Sequence, residues 1–174
     1  GSLETFKRST KKNTVTVDKA FLREIENWRE KLAKNIALNN KIEISALNFS
    51  VQAIIDRILF LRICEDRGLE EPNQLQKISE KAGIFKRLNE LFVYYDEKYN
   101  SGLFHFRAEK GIESPPDEIT PKLKIDDKIL KPILSDLYFP NSPYEFSVFS
   151  SDILGNVYEQ FLGKVIVPSG QSAK

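Results

Sequence analysis

Pro116-Asp117, followed by Asp126-Asp127-Lys128, is the stretch of this sequence with the most chemical promise. Two acids and a lysine in that order match the letters of the Pro-Asp…(Asp/Glu)-x-Lys pattern. In that pattern the carboxylates hold a magnesium ion and the lysine steadies an attacking water. The spacing here is short, and its second half falls where a helix should start, whereas that chemistry places it on a core strand. Asp126 and Asp127 are accounted for as helix caps favoured by the helix dipole. His105 has the unperturbed pKa for acid–base work near neutrality. It sits between Phe104 and Phe106 with no serine or cysteine nucleophile beside it, and reads as a half-buried histidine bonded to a backbone carbonyl. Cys64 lies in an apolar run and reads as an inert core thiol. One cysteine and one histidine exclude an internal disulfide and a zinc site of four Cys/His ligands. Phosphate-loop and dinucleotide glycine patterns are absent.

The elements that must position these residues are helices. Residues 1–17 are polar and basic, with Lys7, Arg8, Lys11 and Lys12. They read as a flexible arm or linker behind a Gly1-Ser2 cloning scar, and those four side chains are the candidates for phosphate contact. Asp18 opens a helix with Phe21, Leu22, Ile25, Trp28, Leu32 and Ile36 at helical spacing, ending near Asn39-Asn40. A second helix begins near Glu43 to Ser45 and is apolar almost all round, so it belongs in the middle of a bundle. Asp56, Arg57 and Arg62 interrupt it and need partners; together with Asp66 they read either as the lining of a cleft or, preferably, as an internal salt-bridge set. Gly68 supplies a left-handed stop. A weak helix over 73–83, a helix over 84–99 and one capped by Asp126 or Asp127 follow. Segments 103–106 and 144–148 read as short strands that pair. A last helix carries the stripe Ile153, Leu154, Val157, Tyr158, Phe161 and Leu162, and residues 168–174 read as the start of a linker. The reading is an all-α fold, a five- to six-helix bundle with a minor two-stranded extended element. Its 174 residues suffice for one core without staples, and 29% charge suits a water-exposed surface. No uninterrupted apolar run reaches the ~18 residues of a membrane span, and no signal peptide is visible, so no membrane is expected and a reducing cytoplasm is the default.

Five stretches taken together carry a resemblance. They are Phe21-Leu22-Arg23-Glu24-Ile25-Glu26-Asn27-Trp28-Arg29, the run 54–68 around Asp56-Arg57 and Arg62-Ile63-Cys64-Glu65-Asp66, Tyr99-Asn100-Ser101-Gly102-Leu103-Phe104, Tyr144-Glu145-Phe146-Ser147, and 153–163 with Leu154-Gly155-Asn156-Val157-Tyr158-Glu159. Over roughly residues 18–167 the chain resembles the helical region of type IIG restriction–modification enzymes, which fuse an endonuclease to an adenine-specific DNA methyltransferase. The last stretch is less specific, because related methyltransferase subunits carry a similar run before their catalytic domain.

The resemblance implies a nuclease domain before this region and, after it, a methyltransferase with an S-adenosylmethionine loop and an Asn-Pro-Pro-Tyr motif. This chain has neither methyltransferase motif, and Ser142-Pro143-Tyr144 lacks the asparagine amide that holds the target base. No catalytic, cofactor or metal residue is carried over. The expected division is arm (1–17), helical connector (18–167) and linker start (168–174). The expected function is non-catalytic spacing of nuclease and methyltransferase, with S-adenosylmethionine and magnesium serving the parent protein, none bound by this stretch, and double-stranded DNA reached through the parent. Ile153, Leu154, Tyr158, Phe161 and Leu162 are the expected seam with the methyltransferase. Two alternatives stand beside it, a protein–protein adaptor and a small magnesium-dependent nuclease.

Overall fold

The helix Ile44–Asp66 is the element around which the others are arranged. A computed structural model of the chain describes residues 2–99, 103–108, 110–111 and 113–148, with side chains from Lys19 onward. The helices, in chain order, are α1 (Ser2–Asn39), α2 (Ile44–Asp66), α3 (Gln74–Ser79), α4 (Ile84–Tyr99) and α5 (Asp127–Ser135). Short 3-10 turns occupy Thr120–Lys122 and Phe146–Val148. The all-α class holds. α1 extends back from Asp18 to Ser2, and no proline or glycine falls between Leu3 and Val17 to interrupt it. The expected last helix and its stripe lie outside the described residues.

α2 is long and apolar enough by composition to cross a bilayer, but its circumference is buried against protein, from Ser50 to Glu65 without an exposed position except the half-buried Gln52. Ile54, Ile55, Ile58, Leu59 and Leu61 from α2 pack with Phe21, Ile25, Trp28, Leu32 and Ile36 of α1 and with Leu88 and Phe92 of α4 in one core. Each such aliphatic or aromatic side chain contributes about 1.5–3 kcal/mol by leaving water. α2 ends as the glycine predicts. Gly68 takes φ 74°, its amide bonds the Glu65 carbonyl at 3.0 Å, and the Leu69 amide bonds that of Cys64 at 2.9 Å, which satisfies the carbonyls left over in the last turn.

The two-stranded element is not formed among the described residues. The backbone groups that a strand partner would need are bonded elsewhere: Arg57 takes the carbonyls of Leu103 and Phe104, and the Asp66 carboxylate takes the amide of Phe146. The alternation of large side chains in both segments reflects two separate aromatic clusters. Phe104 packs against Phe60 and Phe92, whereas Tyr144 and Phe146 pack against Phe21.

Candidate functional site

The charged side chains of α2 from Asp56 to Glu65 are buried, and Asp66 is half-buried beside them. Arg57 is 2% exposed. Its Nη2 donates to Asp117 Oδ2 at 2.8 Å and to the Phe104 carbonyl at 3.2 Å, its Nε donates to the Leu103 carbonyl at 3.2 Å, and the guanidinium lies 4.8 Å from the centre of the Phe106 ring. Asp117 also accepts the amides of Ile119 and Thr120, at 3.3 and 3.0 Å, and donates its own amide to the His105 carbonyl at 2.8 Å. Arg57 therefore clips an irregular loop onto the helix. Burial pushes its pKa down and the Asp117 carboxylate pushes it back. His105 sits inside this loop, buried, with its Nε2 donating to the Ser114 carbonyl at 2.7 Å. That is the carbonyl-bonded histidine the sequence suggested.

Arg62 forms the second knot. It bonds Asp66 at 2.8 and 3.2 Å, Glu65 at 3.3 Å and the Leu137 carbonyl at 3.0 Å. Its guanidinium is flanked by Tyr138 at 4.4 Å and Phe146 at 4.6 Å. Glu65 in turn accepts the Tyr138 hydroxyl at 3.0 Å and the amides of Asn73 and Gln74 at 3.0 and 3.2 Å. Burial pushes the Glu65 carboxyl up, and these donors with Arg62 draw it back. The fixed partners of Arg57, Arg62 and Asp66 are those of an internal salt-bridge set, not of groups lining a cleft.

A third network joins α1 to α2 below an open groove lined by Arg23, Glu26, Arg29, Asn48 and Gln52. Arg29 ion-pairs with Glu26 and donates to Gln52 Oε1 at 3.1 and 2.7 Å; Gln52 passes the contact inward to Asp56 Oδ1 at 2.7 Å. Burial pushes the Asp56 carboxyl up to about 6, against the pull of Gln52, Arg29 and Arg57. The sequence reading missed this relay. Its one linear signal is the four-residue spacing of Gln52 and Asp56 on a helix. Cys64 is buried and its thiol is pushed up to about 12 by desolvation, as an inert core thiol requires.

The acids of the nuclease-like pattern have separate structural partners. Asp117 is tied to Arg57. Asp126 occupies the N-cap position of α5 without a side-chain cap bond; instead its carboxylate accepts from Asn35 Nδ2 at 2.9 Å. Asp127 does cap a helix, but α4 and not its own: Oδ1 takes the Ile84 amide at 2.9 Å and Oδ2 the Gly83 amide at 3.0 Å. α4 has no acidic residue in its first turn, so a neighbouring helix supplies the charge its N-terminus favours. Among the described residues no three His, Cys, Asp or Glu side chains converge to hold a metal. Asp127→Ala is expected to lower stability by about 1 kcal/mol, and Asp127→Asn by less, in urea unfolding monitored by circular dichroism.

The side chains of Lys7, Arg8, Lys11 and Lys12 and the residues Ile153, Leu154, Tyr158, Phe161 and Leu162 lie outside the described part, so the expected phosphate contacts and seam find no geometry here.

What the fold and its interior define is a helical domain whose buried charges serve packing. Comparison with known proteins gives it a setting. The chain is 40% identical over 152 residues to the type II restriction enzyme and methyltransferase RM.Eco57I of Escherichia coli. The match takes in 87% of this chain and 14% of that protein, so the chain spans about one seventh of the relative's length. The resemblance to a region of a type IIG restriction–modification enzyme holds over most of the chain. No family model matches, and no solved structure matches.

Proposed function

We propose that this chain is a non-catalytic helical region of a bifunctional restriction–modification polypeptide, spacing an endonuclease from an adenine-specific methyltransferase. The observation that carries the reading is the commitment of Asp117, Asp126 and Asp127 to Arg57, Asn35 and the start of α4, in a chain similar to part of a restriction enzyme and methyltransferase. Under this reading the parent protein uses S-adenosylmethionine and magnesium, acts on double-stranded DNA, holds its neighbouring domains in cis and works in the cytoplasm. The stripe Ile153, Leu154, Tyr158, Phe161 and Leu162 forms the seam with the methyltransferase, and Lys7, Arg8, Lys11 and Lys12 meet backbone phosphates. The isolated chain is expected neither to nick supercoiled plasmid with magnesium nor to transfer tritiated methyl groups from S-adenosylmethionine to duplex DNA. Turnover in either assay by the purified chain rejects the reading.

A further inference from the structure

Two large apolar side chains stand exposed where the described chain stops. Leu22 is 41% exposed and Phe139 is 85% exposed. Each adjoins a residue packed about Phe146, in the last described turn, Phe146–Val148. Leu22 follows Phe21, whose ring centre lies 5.6 Å from that of Phe146. Phe139 follows Tyr138, and the rings of Tyr138 and Phe146 flank the Arg62 guanidinium at 4.4 and 4.6 Å. The Phe146 amide is held by the Asp66 carboxylate at 3.0 Å, so the chain leaves the bundle at a defined place. Residues 149–174 follow. Their sequence predicts a helix whose apolar residues recur in adjacent pairs every four positions from Ile153 to Leu162. At roughly 100° per residue, Ile153, Val157 and Phe161 fall on one edge of that stripe, and Leu154, Tyr158 and Leu162 on the other. The stripe spans roughly half the circumference, against the roughly 100° that one contact face needs, so it is wide enough to meet two surfaces.

We propose that residues 151–163 of this chain dock as a helix on this corner of the bundle, with the edge of Ile153, Val157 and Phe161 over Leu22 and Phe139. The place where the chain leaves the bundle selects the occupant. Ile153 follows Val148 by five residues, a tether of at most about 18 Å. Joined that closely, segment and corner meet at an effective concentration on the order of millimolar, so a small apolar contact suffices to hold them together. Leu38 is also exposed, at 82%, but it lies where α1 gives way to α2, about 24 Å along α1 from Leu22. The docked helix is a wedge, and its edge of Leu154, Tyr158 and Leu162 is left for the methyltransferase. That second contact rests on the connector reading; the first does not.

The test is the rate at which a thiol introduced at the corner reacts with an aromatic disulfide reagent. Phe139→Cys and Leu38→Cys are compared in the whole chain, each rate divided by that of the same chain unfolded in urea. The native thiol of Cys64 is buried and does not compete. Exposure among the described residues alone would make the two positions react alike. With the corner covered, Phe139→Cys is expected to react at least about tenfold more slowly than Leu38→Cys. Adding Val157→Asp, which sets a charge against the apolar corner, is expected to bring the two rates together. Ile153→Ala with Val157→Ala is the milder second variant, used if circular dichroism shows the charged one unfolded, and it is expected to raise the rate in the same direction. Three outcomes overturn the proposal. They are equal rates at the two positions, protection that persists in a folded stripe variant, and protection that grows with protein concentration, which would place a second copy on the corner. None of these touches the cleavage and methyl-transfer assays, by which the connector reading stands or falls separately.

Discussion

Arg57→Ala is expected to lower the unfolding free energy by about 3–5 kcal/mol, the range for removing one partner of a buried ion pair. Against the roughly 5–15 kcal/mol that holds a domain together, this is a large fraction. The loss has three parts. Asp117 is left charged and buried, the carbonyls of Leu103 and Phe104 lose their donor, and a guanidinium-sized space opens against Phe106. Lysine does not rescue it, because a single ammonium cannot reproduce a planar fork that bonds two carbonyls and a carboxylate at once. The double variant Arg57→Met with Asp117→Asn is expected to recover a substantial part. It removes both charges together, while the asparagine oxygen still accepts the amides of Ile119 and Thr120. Equilibrium urea unfolding with a shared m-value checks the order wild type, double variant, single variant. A single-variant loss below about 1 kcal/mol, the worth of an exposed pair, would mean that the Arg57–Asp117 contact sits in water.

The same residues show how far the sequence could be read. Apolar spacing places the buried faces of α1 and α4 because burial repeats with the helical period, and it puts Phe21, Trp28, Leu32 and Leu88 in the core. Gly68 is legible because a left-handed cap has one preferred residue. The need of Arg57 and Arg62 for partners is legible too, and for Arg62 so is the answer, since Glu65 and Asp66 lie within one turn. The partner of Arg57 is not, because Asp117 is 60 residues away in sequence. The misreading at 103–106 and 144–148 has the same origin. Alternating aromatics signal a strand only if a second backbone lies alongside, and here Arg57 and Asp66 occupy the hydrogen-bonding groups first. Asp127 is legible as a helix cap but not as the cap of α4, since a carboxylate's preference for free amides says nothing of which N-terminus the packing brings near it. Side chains that act within a turn are readable from order in the chain; those that act across the bundle are not.

Asp56→Asn is expected to stabilise the domain at neutral pH, by up to about 3 kcal/mol, through a group that no contact count would single out as a liability. Asp56 is 7% exposed and accepts a 2.7 Å bond from Gln52, yet burial lifts its pKa from 3.8 to about 6. Desolvation thus outweighs the hydrogen bond and the pull of Arg29 and Arg57. Because the folded pKa lies above the unfolded one, the folded chain holds a proton through the window from about pH 4 to about pH 6 after the unfolded chain has released it. Stability contributed by that proton falls as pH rises through the window and the penalty is constant above it. A shift of about two units, at about 1.4 kcal/mol each, sets the upper bound. Asparagine carries no charge at any pH, and its side-chain oxygen still accepts from Gln52, so the relay to Arg29 stays connected. Glu65, also raised by burial, contributes a slope of the same sign in both proteins and cancels in the difference. Urea unfolding of both chains from pH 4 to pH 7 should therefore show near-equal stability at the acid end and a gap that opens with rising pH in favour of the variant. A gap that is independent of pH would place the Asp56 carboxylate in contact with solvent, and a variant less stable at pH 7 would mean that Arg29 and Arg57 return more than burial costs.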